Sequence, residues 1–269
     1  MNARKHIDQL GRSVTLNFLP KRIVSLVPSQ TELLYSLGLT DEVIGITKFC
    51  VHPENWFRNK TRVGGTKQYD FEKIKQLQPD LIIGNKEEND EAQIKELMQL
   101  YPVWMSDIKT FADALQMILS VGDLVARKNE AVAIASNIET NFSKLKTVVG
   151  NAQIKKRSVL YCIWYSPLMA AGGDTFINEM LNCCGLKNVM GLNERYPEIS
   201  IEKLKQLNPE TILLSSEPFP FKQKHIDELQ LHCPDAKIIL VDGEFFSWYG
   251  SRLVDAPNYF ETVIHKLTP

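Results

Sequence analysis

The sequence predicts an α/β fold of two parallel-sheet lobes joined by a long helix. Three observations support this prediction. Short apolar strand patterns alternate with helical patterns along the chain, the two halves share a repeated segment, and a long stretch of helical periodicity separates them. Because alternation of strands and helices favours parallel sheets covered by helices on both faces, we expect two lobes of similar plan.

Composition and charge exclude several classes of protein. The 269 residues include 31 Lys and Arg against 32 Asp and Glu, which gives a formal net charge of −1. A nucleic-acid-binding protein usually carries a basic excess that this chain lacks. No apolar run approaches the ~20 residues that a membrane-spanning helix requires. We therefore expect a globular, monomeric protein that binds no nucleic acid and does not span a membrane.

The elements of the first half follow from its apolar runs and their spacing. Strands are predicted over short apolar runs at Ile23–Val27, Val43–Ile46, Leu81–Ile83 and Val103–Met105. Helices are predicted where the apolar spacing is helical, at Thr31–Leu37, in a segment that begins at Phe71, and from about Glu91 to Leu100. Strands and helices therefore alternate throughout this half.

The second half repeats this plan. FEKIKQLQPDLII at 71–83 and IEKLKQLNPETIL at 201–213 are identical at 7 of 13 positions without a gap. Each copy predicts a short amphipathic helix, a proline that ends it and an apolar strand. The predicted strands of this half are Val159–Ile163, Ile212–Leu214 and Ile238–Val241, and its other helices are Ile177–Cys183 and His225–Leu231. The match indicates that the lobes arose by duplication.

A long helix is predicted between a first lobe at 1–127 and a second lobe at 150–269. Residues 128–149 contain no proline or glycine, and their apolar residues have helical spacing at Val132, Ala135, Ile138, Phe142, Leu145 and Val149. At 1.5 Å per residue this helix is about 33 Å long, enough to cross a domain. One stiff connection limits how far the lobes can hinge.

An ordered set of motifs along the chain resembles a known family. The first lobe carries DQLGRSVTL, PKRIVSLVPSQTELLYSLG, DEVIGIT, HPE, VGG and the first repeat, and the second carries GGDTFINEML, CCGLKNV and the second repeat. These segments, which span about Ile7 to Leu267, are similar to the helical-backbone substrate-binding proteins of ABC importers, most of all to the cobalamin binders. The resemblance implies a class III periplasmic-binding-protein-like fold that holds a cobalamin-like corrinoid or ferric chelate in the cleft between the lobes. It also implies no intrinsic cofactor, and transporter permease subunits as partners.

The resemblance also indicates which residues contact the ligand. Phe49 and Tyr196 fall on aromatic positions of the family pattern, and Thr66 stands where that pattern has a tryptophan. The segment EFFSWYGSR follows the last predicted strand, and so dense an aromatic run is unusual in a loop. We expect it to bind an apolar edge of the ligand, with contacts from Glu244, Phe245, Phe246, Trp248 and Arg252. The alternative is that these aromatic rings cover the end of a core.

Two interpretations are open for His52. Its spacing from Cys50 would place both side chains on one face of a strand. A neutral ring nitrogen of His52 could bind the metal of the ligand, or the side chain could be hydrogen-bonded locally within a loop. As a pair, Cys50 and His52 could also act as the nucleophile and base of a cleft enzyme. Because the chain has no GxSxG, GxGxxG or phosphate-loop motif, we expect a binding protein rather than an enzyme.

Glu72 and Glu202 occupy equivalent positions in the first turns of the two repeated helices. A carboxylate there interacts favourably with the helix dipole, by about 0.3–1 kcal/mol. The family resemblance implies a second role, in which one glutamate per lobe pairs with an arginine of the transporter. Arginine suits such pairing because its guanidinium group binds a carboxylate through two hydrogen bonds.

The sequence leaves two compartments open. The resemblance implies an extracytoplasmic, periplasmic protein if a leader was removed. The N-terminal residues MNARKHIDQLGRSVTLNFLP contain no apolar stretch of signal-peptide type, which favours a cytoplasmic location instead. The five cysteines are odd in number and have no CxxC spacing, which argues against a disulfide framework. The alternative is a cytoplasmic carrier or sensor that binds a corrinoid or chelate without export.

Overall fold

The computed structural model describes residues 3–151 and 157–267, and the chain divides into two compact units. The first unit consists of the residues up to Ile108, Ala112–Asn137 and Tyr249–Arg252. The second consists of Lys109–Phe111, Ile138–Trp248 and the residues from Leu253. Each unit therefore contains a short piece of chain that is distant in sequence from the rest of it.

The first unit is built on a five-stranded parallel sheet. Its strands are β3 (Ile23–Ser25), β4 (Val43–Ile46), β5 (Thr61–Arg62), β6 (Leu81–Asn85) and β7 (Val103–Ser106), in the order β5-β4-β3-β6-β7. The helices of this part of the chain are α1 (Pro28–Ser36), α2 (Glu54–Asn59), α3 (Phe71–Leu77), α4 (Glu91–Leu100) and α5 (Phe111–Leu124). The predicted strands and helices are confirmed to within a few residues, whereas α2 and α5 were not predicted.

An unpredicted hairpin of β1 (Arg4–Ile7) and β2 (Ser13–Leu16) precedes this sheet. Its turn is held by the buried carboxylate of Asp8, which accepts the backbone N–H groups of Leu10 and Arg12 at 3.0 and 2.8 Å. The same carboxylate accepts the Arg12 guanidinium. β2 also carries an apolar alternation, in which Val14 and Leu16 are buried, but it is only four residues long, and the polar turn that joins it to β1 gives no periodic signal.

The second unit has a related sheet. Its strands are β8 (Ser158–Trp164), β9 (Met169–Ala170), β10 (Lys187–Asn188), β11 (Thr211–Ser215) and β12 (Lys237–Val241). The parallel order is β10-β8-β11-β12, and β9 pairs antiparallel with β8. The helices are α7 (Phe176–Cys183), α8 (Ile201–Leu207), α9 (Gln223–Gln230), α10 (Glu244–Ser247) and α11 (Ala256–Leu267). The predicted α/β class with parallel sheets is thus confirmed.

The long helix is also confirmed, as α6 (Lys128–Asn151), which runs for 24 residues. The predicted apolar stripe needs one correction, because Val132 is 49% exposed and the neighbouring Ala131 is buried instead. A Cβ atom on Gly122 of α5 would come within 2.2 Å of the Ala131 Cβ. Ala131 is therefore buried by a close approach of α5 and α6 that only a glycine at position 122 permits.

The two repeat copies fold alike. The carboxylate of Asp70 caps α3 by accepting the Lys73 N–H at 3.0 Å, and the Ser200 hydroxyl caps α8 by accepting the Lys203 N–H at 3.1 Å. Both helices end in left-handed residues, with φ of 44° at Gln78 and 39° at Asn208. Each is followed by a proline and then a fully buried strand, as the sequence predicts.

Each unit has its own apolar core around its sheet. The core of the first includes Val24, Leu26, Ile82 and Leu97, and the core of the second includes Leu160, Leu204, Ile212 and Leu214. Within the described parts of the chain, every helix is too short or too polar to cross a bilayer.

Candidate functional site

Ligands of open parallel sheets bind beyond the carboxyl ends of the strands, so the site is sought there in each unit. In the first unit these ends lead into α1 and into the segments around Phe49, Thr66 and Glu88. In the second they lead into the segments around Trp164, Glu217 and α10. The predicted ligand residues are therefore distributed over both units.

Phe49 and Thr66 lie on neighbouring loops of the first unit, and Gly65 brings the loops together. The Phe49 ring is 51% exposed, and a Cβ atom on Gly65 would lie 3.3 Å from its Cε2 atom. The Lys48 ammonium lies 5.1 Å from the centroid of the Phe49 ring. Thr66 is half-buried, and its carbonyl accepts the Tyr69 hydroxyl at 2.8 Å. An apolar ring beside an exposed cation is therefore presented at this strand end.

The Cys50 thiol lies beneath this surface. It is fully buried and hydrogen-bonded to the hydroxyls of Thr31 and Thr47, each at 3.1 Å. Burial raises the pKa of the Cys50 thiol to about 11, so the thiolate that a nucleophile requires is disfavoured. His52 is half-buried in the same segment, which is a loop rather than the strand on which the expectation of a shared face depended.

Arg252 belongs to the first unit. Its guanidinium donates to both carboxylate oxygens of Glu32, at 2.6 and 3.1 Å, and both side chains are largely buried. The Tyr249 hydroxyl donates to Glu88 at 2.8 Å. A Cβ atom on Gly250 would lie 3.1 Å from the Ser29 carbonyl oxygen. The short segment Tyr249–Arg252 is therefore fixed on α1 and on the end of β6 by specific contacts.

The aromatic run before Tyr249 is a short helix, α10, and not the expected loop. Phe246 is fully buried, and its ring centroid lies 5.1 Å from that of Tyr161 and 4.7 Å from that of Phe260. Phe245 is half-buried and stacks on Tyr259 at 4.5 Å, and Trp248 is buried. Glu244 is half-buried in the first turn of α10. The burial of apolar rings favours this helix. In the helical conformation Phe246 points into the core of the second unit, while Phe245 stays half-buried.

Tyr196 lies in a segment that runs beside β9. The backbone N–H of Gly172 donates to the Arg195 carbonyl at 2.7 Å, and the N–H of Ala170 donates to the Pro197 carbonyl at 3.1 Å. These bonds on both sides fix the backbone of Tyr196, and its side chain is half-buried. The residue is therefore held in place by the chain around it, with part of its ring accessible.

Glu217 was missed by the sequence analysis. Its carboxylate accepts the Ser247 hydroxyl at 2.6 Å and the Trp248 indole N–H at 3.0 Å, so it links the end of β11 to α10. Burial, together with the nearby Glu244 and Asp242 carboxylates, raises the pKa of Glu217 above the ordinary glutamate value. The available signal was the segment SSEPFPFK directly after a buried strand, where two aromatic residues alternate with prolines.

Both glutamates of the repeat are exposed in the first turns of α3 and α8. Hydrogen bonds from its own backbone N–H and from the Ser200 hydroxyl hold the pKa of Glu202 below its usual value. Glu202 is therefore ionised under neutral conditions and accessible to a cationic partner. In the described residues there is no group of three or more His, Cys, Asp or Glu side chains arranged to hold a metal ion.

Comparison with known proteins gives the family. The model of the periplasmic binding protein family matches residues 23–234, which is most of the chain. The chain belongs to the periplasmic binding protein family. Its members are binding proteins, not enzymes, and the buried Cys50 thiol of this family member is consistent with that.

Relatives of this periplasmic binding protein cover most of its length. An uncharacterised ABC transporter substrate-binding lipoprotein of Bacillus subtilis is 28% identical over 77% of this chain and 67% of its own. A vitamin B12-binding protein of Pectobacterium carotovorum is 22% identical over 93% of this chain and 91% of its own. The periplasmic haem-binding protein of Roseiflexus sp. RS-1 has the same fold, with a TM-score of 0.80 at 18% identity, over 92% of this chain and 98% of that one.

Proposed function

We propose that this periplasmic binding protein is the substrate-binding component of an ABC importer and that it carries a cobalamin-like corrinoid or a ferric chelate. The observation that carries the proposal is the set of partly exposed aromatic residues that both units present, at strand ends and beside β9. Phe49 supplies one in the first unit, and Tyr196 and Phe245 supply others in the second. Ligands with broad apolar surfaces are bound by such residues.

The ligand class is supported by the relatives and by the polar groups of the site. One relative is a vitamin B12-binding protein, and a structural neighbour is a haem-binding protein. Both ligands combine a flat conjugated ring with a metal ion. His52 lies three residues from Phe49 and is the candidate to bind the metal of the ligand. Thr66 stands where the family pattern has a tryptophan, and this departure favours a ligand that is smaller than cobalamin or differently shaped.

The partner is proposed from the exposed faces of α3 and α8. The four exposed helical residues of each are the same, namely Glu72, Lys73, Lys75 and Gln76 in α3 and Glu202, Lys203, Lys205 and Gln206 in α8. Each helix has one buried residue, and this residue differs, since it is Ile74 in α3 and Leu204 in α8. Folding alone would conserve the core before the surface. We therefore assign these faces to docking on the permease subunits, with Glu72 and Glu202 as the groups that pair with arginine.

The same function could operate in either of two compartments, and we propose the extracytoplasmic one. The relatives include a lipoprotein of an ABC transporter. One observation favours the cytoplasmic alternative, a carrier or sensor without export: all five cysteines are free thiols, four of them buried. Fractionation of cells that express the native gene separates the two, since the substrate-binding component of an importer is found outside the cytoplasmic membrane and a cytoplasmic carrier is not.

The ligand proposal is tested by titration of the purified protein with cyanocobalamin, haemin and ferric siderophores, followed by tryptophan fluorescence. We expect saturable quenching by at least one of these metal chelates, and weaker binding by Tyr196→Ala. The absence of binding to all of them would contradict the ligand class.

The docking proposal has a separate test. The double variant Glu72→Ala with Glu202→Ala should bind ligand like the wild type but should reduce uptake by cells at least tenfold, because each glutamate makes a charged contact with the transporter. The matched control replaces two exposed glutamates of other helices, Glu96 and Glu139. Normal uptake by the docking variant would refute the docking role and leave the ligand proposal standing.

A further inference from the structure

A cluster of aromatic residues lies at the carboxyl ends of the two central strands of the second unit. Trp164 is the last residue of β8 and Tyr165 follows it. Phe219 and Phe221 follow β11, which pairs with β8. We infer that Trp164 and Phe219 form a second ligand-contact surface, here called the aromatic shelf, which binds a flat conjugated ring of the ligand. This inference rests on the proposed ligand-binding function and adds residues that the family resemblance did not indicate.

The rings of the cluster are packed against one another. The Phe219 centroid lies 5.5 Å from Trp164 at an interplanar angle of 64°, 4.9 Å from Phe221 at 71° and 6.0 Å from Tyr165 at 28°. Edge-to-face and offset arrangements at these distances are the favourable ones for aromatic pairs. The shelf is therefore formed before any ligand arrives.

A buried histidine supports the cluster from beneath. The His225 ring lies 4.6 Å from Tyr165, 5.2 Å from Phe219 and 5.5 Å from Phe221. Its Nδ1 atom accepts the backbone N–H of Lys222 at 2.8 Å, at the start of α9. Tyr165 is held on its other side by a hydrogen bond from its hydroxyl to Glu228. These contacts fix the rings that carry the shelf.

The upper surface of the cluster is open to solvent. Trp164 is 38% exposed, and Phe219 is half-buried. The Trp164 indole N–H donates to the Ser166 carbonyl at 3.1 Å, so the one polar group of that side chain already has a partner within its own loop. What Trp164 offers to a ligand is therefore the apolar surface of its ring. Exposed aromatic surface of this kind is unfavourable in water and is removed from water when a ring stacks on it.

The shelf is connected to α10, which carries predicted ligand residues. Glu217 lies two residues before Phe219, and its carboxylate accepts hydrogen bonds from Ser247 and Trp248. A Cβ atom on Gly243 would come within 2.8 Å of the Glu217 Cγ atom and 2.2 Å of the Ser215 hydroxyl. The loop that carries Phe219 thus packs directly against the start of α10, and the shelf belongs to the same strand-end surface as Phe245.

The aromatic surface of the shelf favours some metal chelates over others. Conjugated rings such as a porphyrin, a corrin or the aryl group of a catecholate can stack on Trp164 and Phe219. An aliphatic hydroxamate chelate offers no such ring and gains little from them. The ligand class narrows to metal chelates with a flat conjugated ring.

The test measures the ligand affinity of five shelf variants and one control by titration with cyanocobalamin, haemin, ferric enterobactin as a catecholate, and ferrichrome as an aliphatic hydroxamate. Trp164→Ala and Phe219→Ala should each weaken binding of a conjugated chelate severalfold, and the double variant about tenfold or more. Trp164→Phe, which keeps a ring, should retain most of the affinity, whereas Trp164→Leu, which keeps only apolar volume, should not. Phe18→Ala is the control, because Phe18 is an exposed phenylalanine of the first unit at 58% exposure.

The outcomes separate the shelf from the proposed function. If the double variant binds a conjugated chelate as tightly as the wild type does, the shelf proposal is wrong and the proposed binding function still stands. Binding of ferrichrome alone does the same. Binding of none of the four chelates overturns both. Circular dichroism and the melting temperature of each variant show that a loss of affinity is not a loss of folding.

Discussion

The two units share a plan but hold their strand ends by different means. In the first, buried polar groups make the contacts: the Ser106 hydroxyl accepts the side-chain amides of Gln30 and Asn85, and Thr31 donates to Ser25. In the second, aromatic rings pack around Phe246. Hydrogen bonds fix direction, whereas ring packing fills volume. Two units of the same plan can therefore stabilise their strand ends with different chemistry.

The largest effect is expected where the aromatic packing of the second unit is removed. Phe246→Ala leaves a cavity among Tyr161, Tyr259 and Phe260 and should lower the free energy of unfolding by about 3–5 kcal/mol. Denaturant titration measures the change, and Phe49→Ala is the matched control in the first unit, since its ring is exposed. An equal loss in both variants would show that the contrast between the units is wrong.

A smaller loss is expected from the polar network of the first unit. Ser106→Ala removes the hydroxyl that accepts from Gln30 and Asn85, and leaves two buried amide groups with fewer partners, at a cost of about 1–3 kcal/mol. The exposed serine Ser36, at the end of α1, provides the control as Ser36→Ala. If Ser106→Ala were as stable as that control, the polar network would not be what holds these strand ends.

The smallest effect concerns Glu217, a half-buried carboxylate that links the aromatic region to α10, and it depends on pH. Because folding raises the pKa of Glu217, the folded state binds more protons than the unfolded chain from pH 4.5 up to the raised value, and stability falls as pH rises through that window. Glu217→Gln lacks this titration but keeps an oxygen that accepts from Ser247 and Trp248. The difference in melting temperature between Glu217→Gln and the wild type should therefore shift in favour of the variant as the pH rises from acidic to neutral.

A second variant tests the sign of this effect. The hydrogen bond from Ser247 favours the charged form of Glu217, so Ser247→Ala should raise the pKa further and steepen the loss of stability with pH. A pH-independent difference between Glu217→Gln and the wild type would mean that Glu217 is not the titrating group.

The same contrast explains how far sequence could predict this molecule. Apolar periodicity and the repeat predicted the strands, the helix α6 and the parallel class, because these depend on local spacing. The run at 244–252 was predicted as a loop. The spacing of apolar residues along the chain indicates that side chains are buried, but it does not show which distant side chains they pack against. Phe246 packs on Tyr161, and Glu217 accepts from Ser247 and Trp248, in each case across at least 30 residues of chain. The hairpin at Asp8 was not predicted because the apolar alternation of β2 covers only four residues and a carboxylate holds the turn.

The segment Tyr249–Arg252 affects when the first unit can complete its folding during synthesis. It is part of the first unit, and its Arg252 pairs with Glu32 across 220 residues of sequence. The sheet of the first unit is complete once β7 has emerged from the ribosome, but these late contacts form only after residue 252 has been added. At 5–20 residues per second, roughly 7 to 30 seconds pass between the two events. During that time the nascent first unit lacks the hydrogen bonds that Tyr249 and Arg252 make with Glu88 and Glu32.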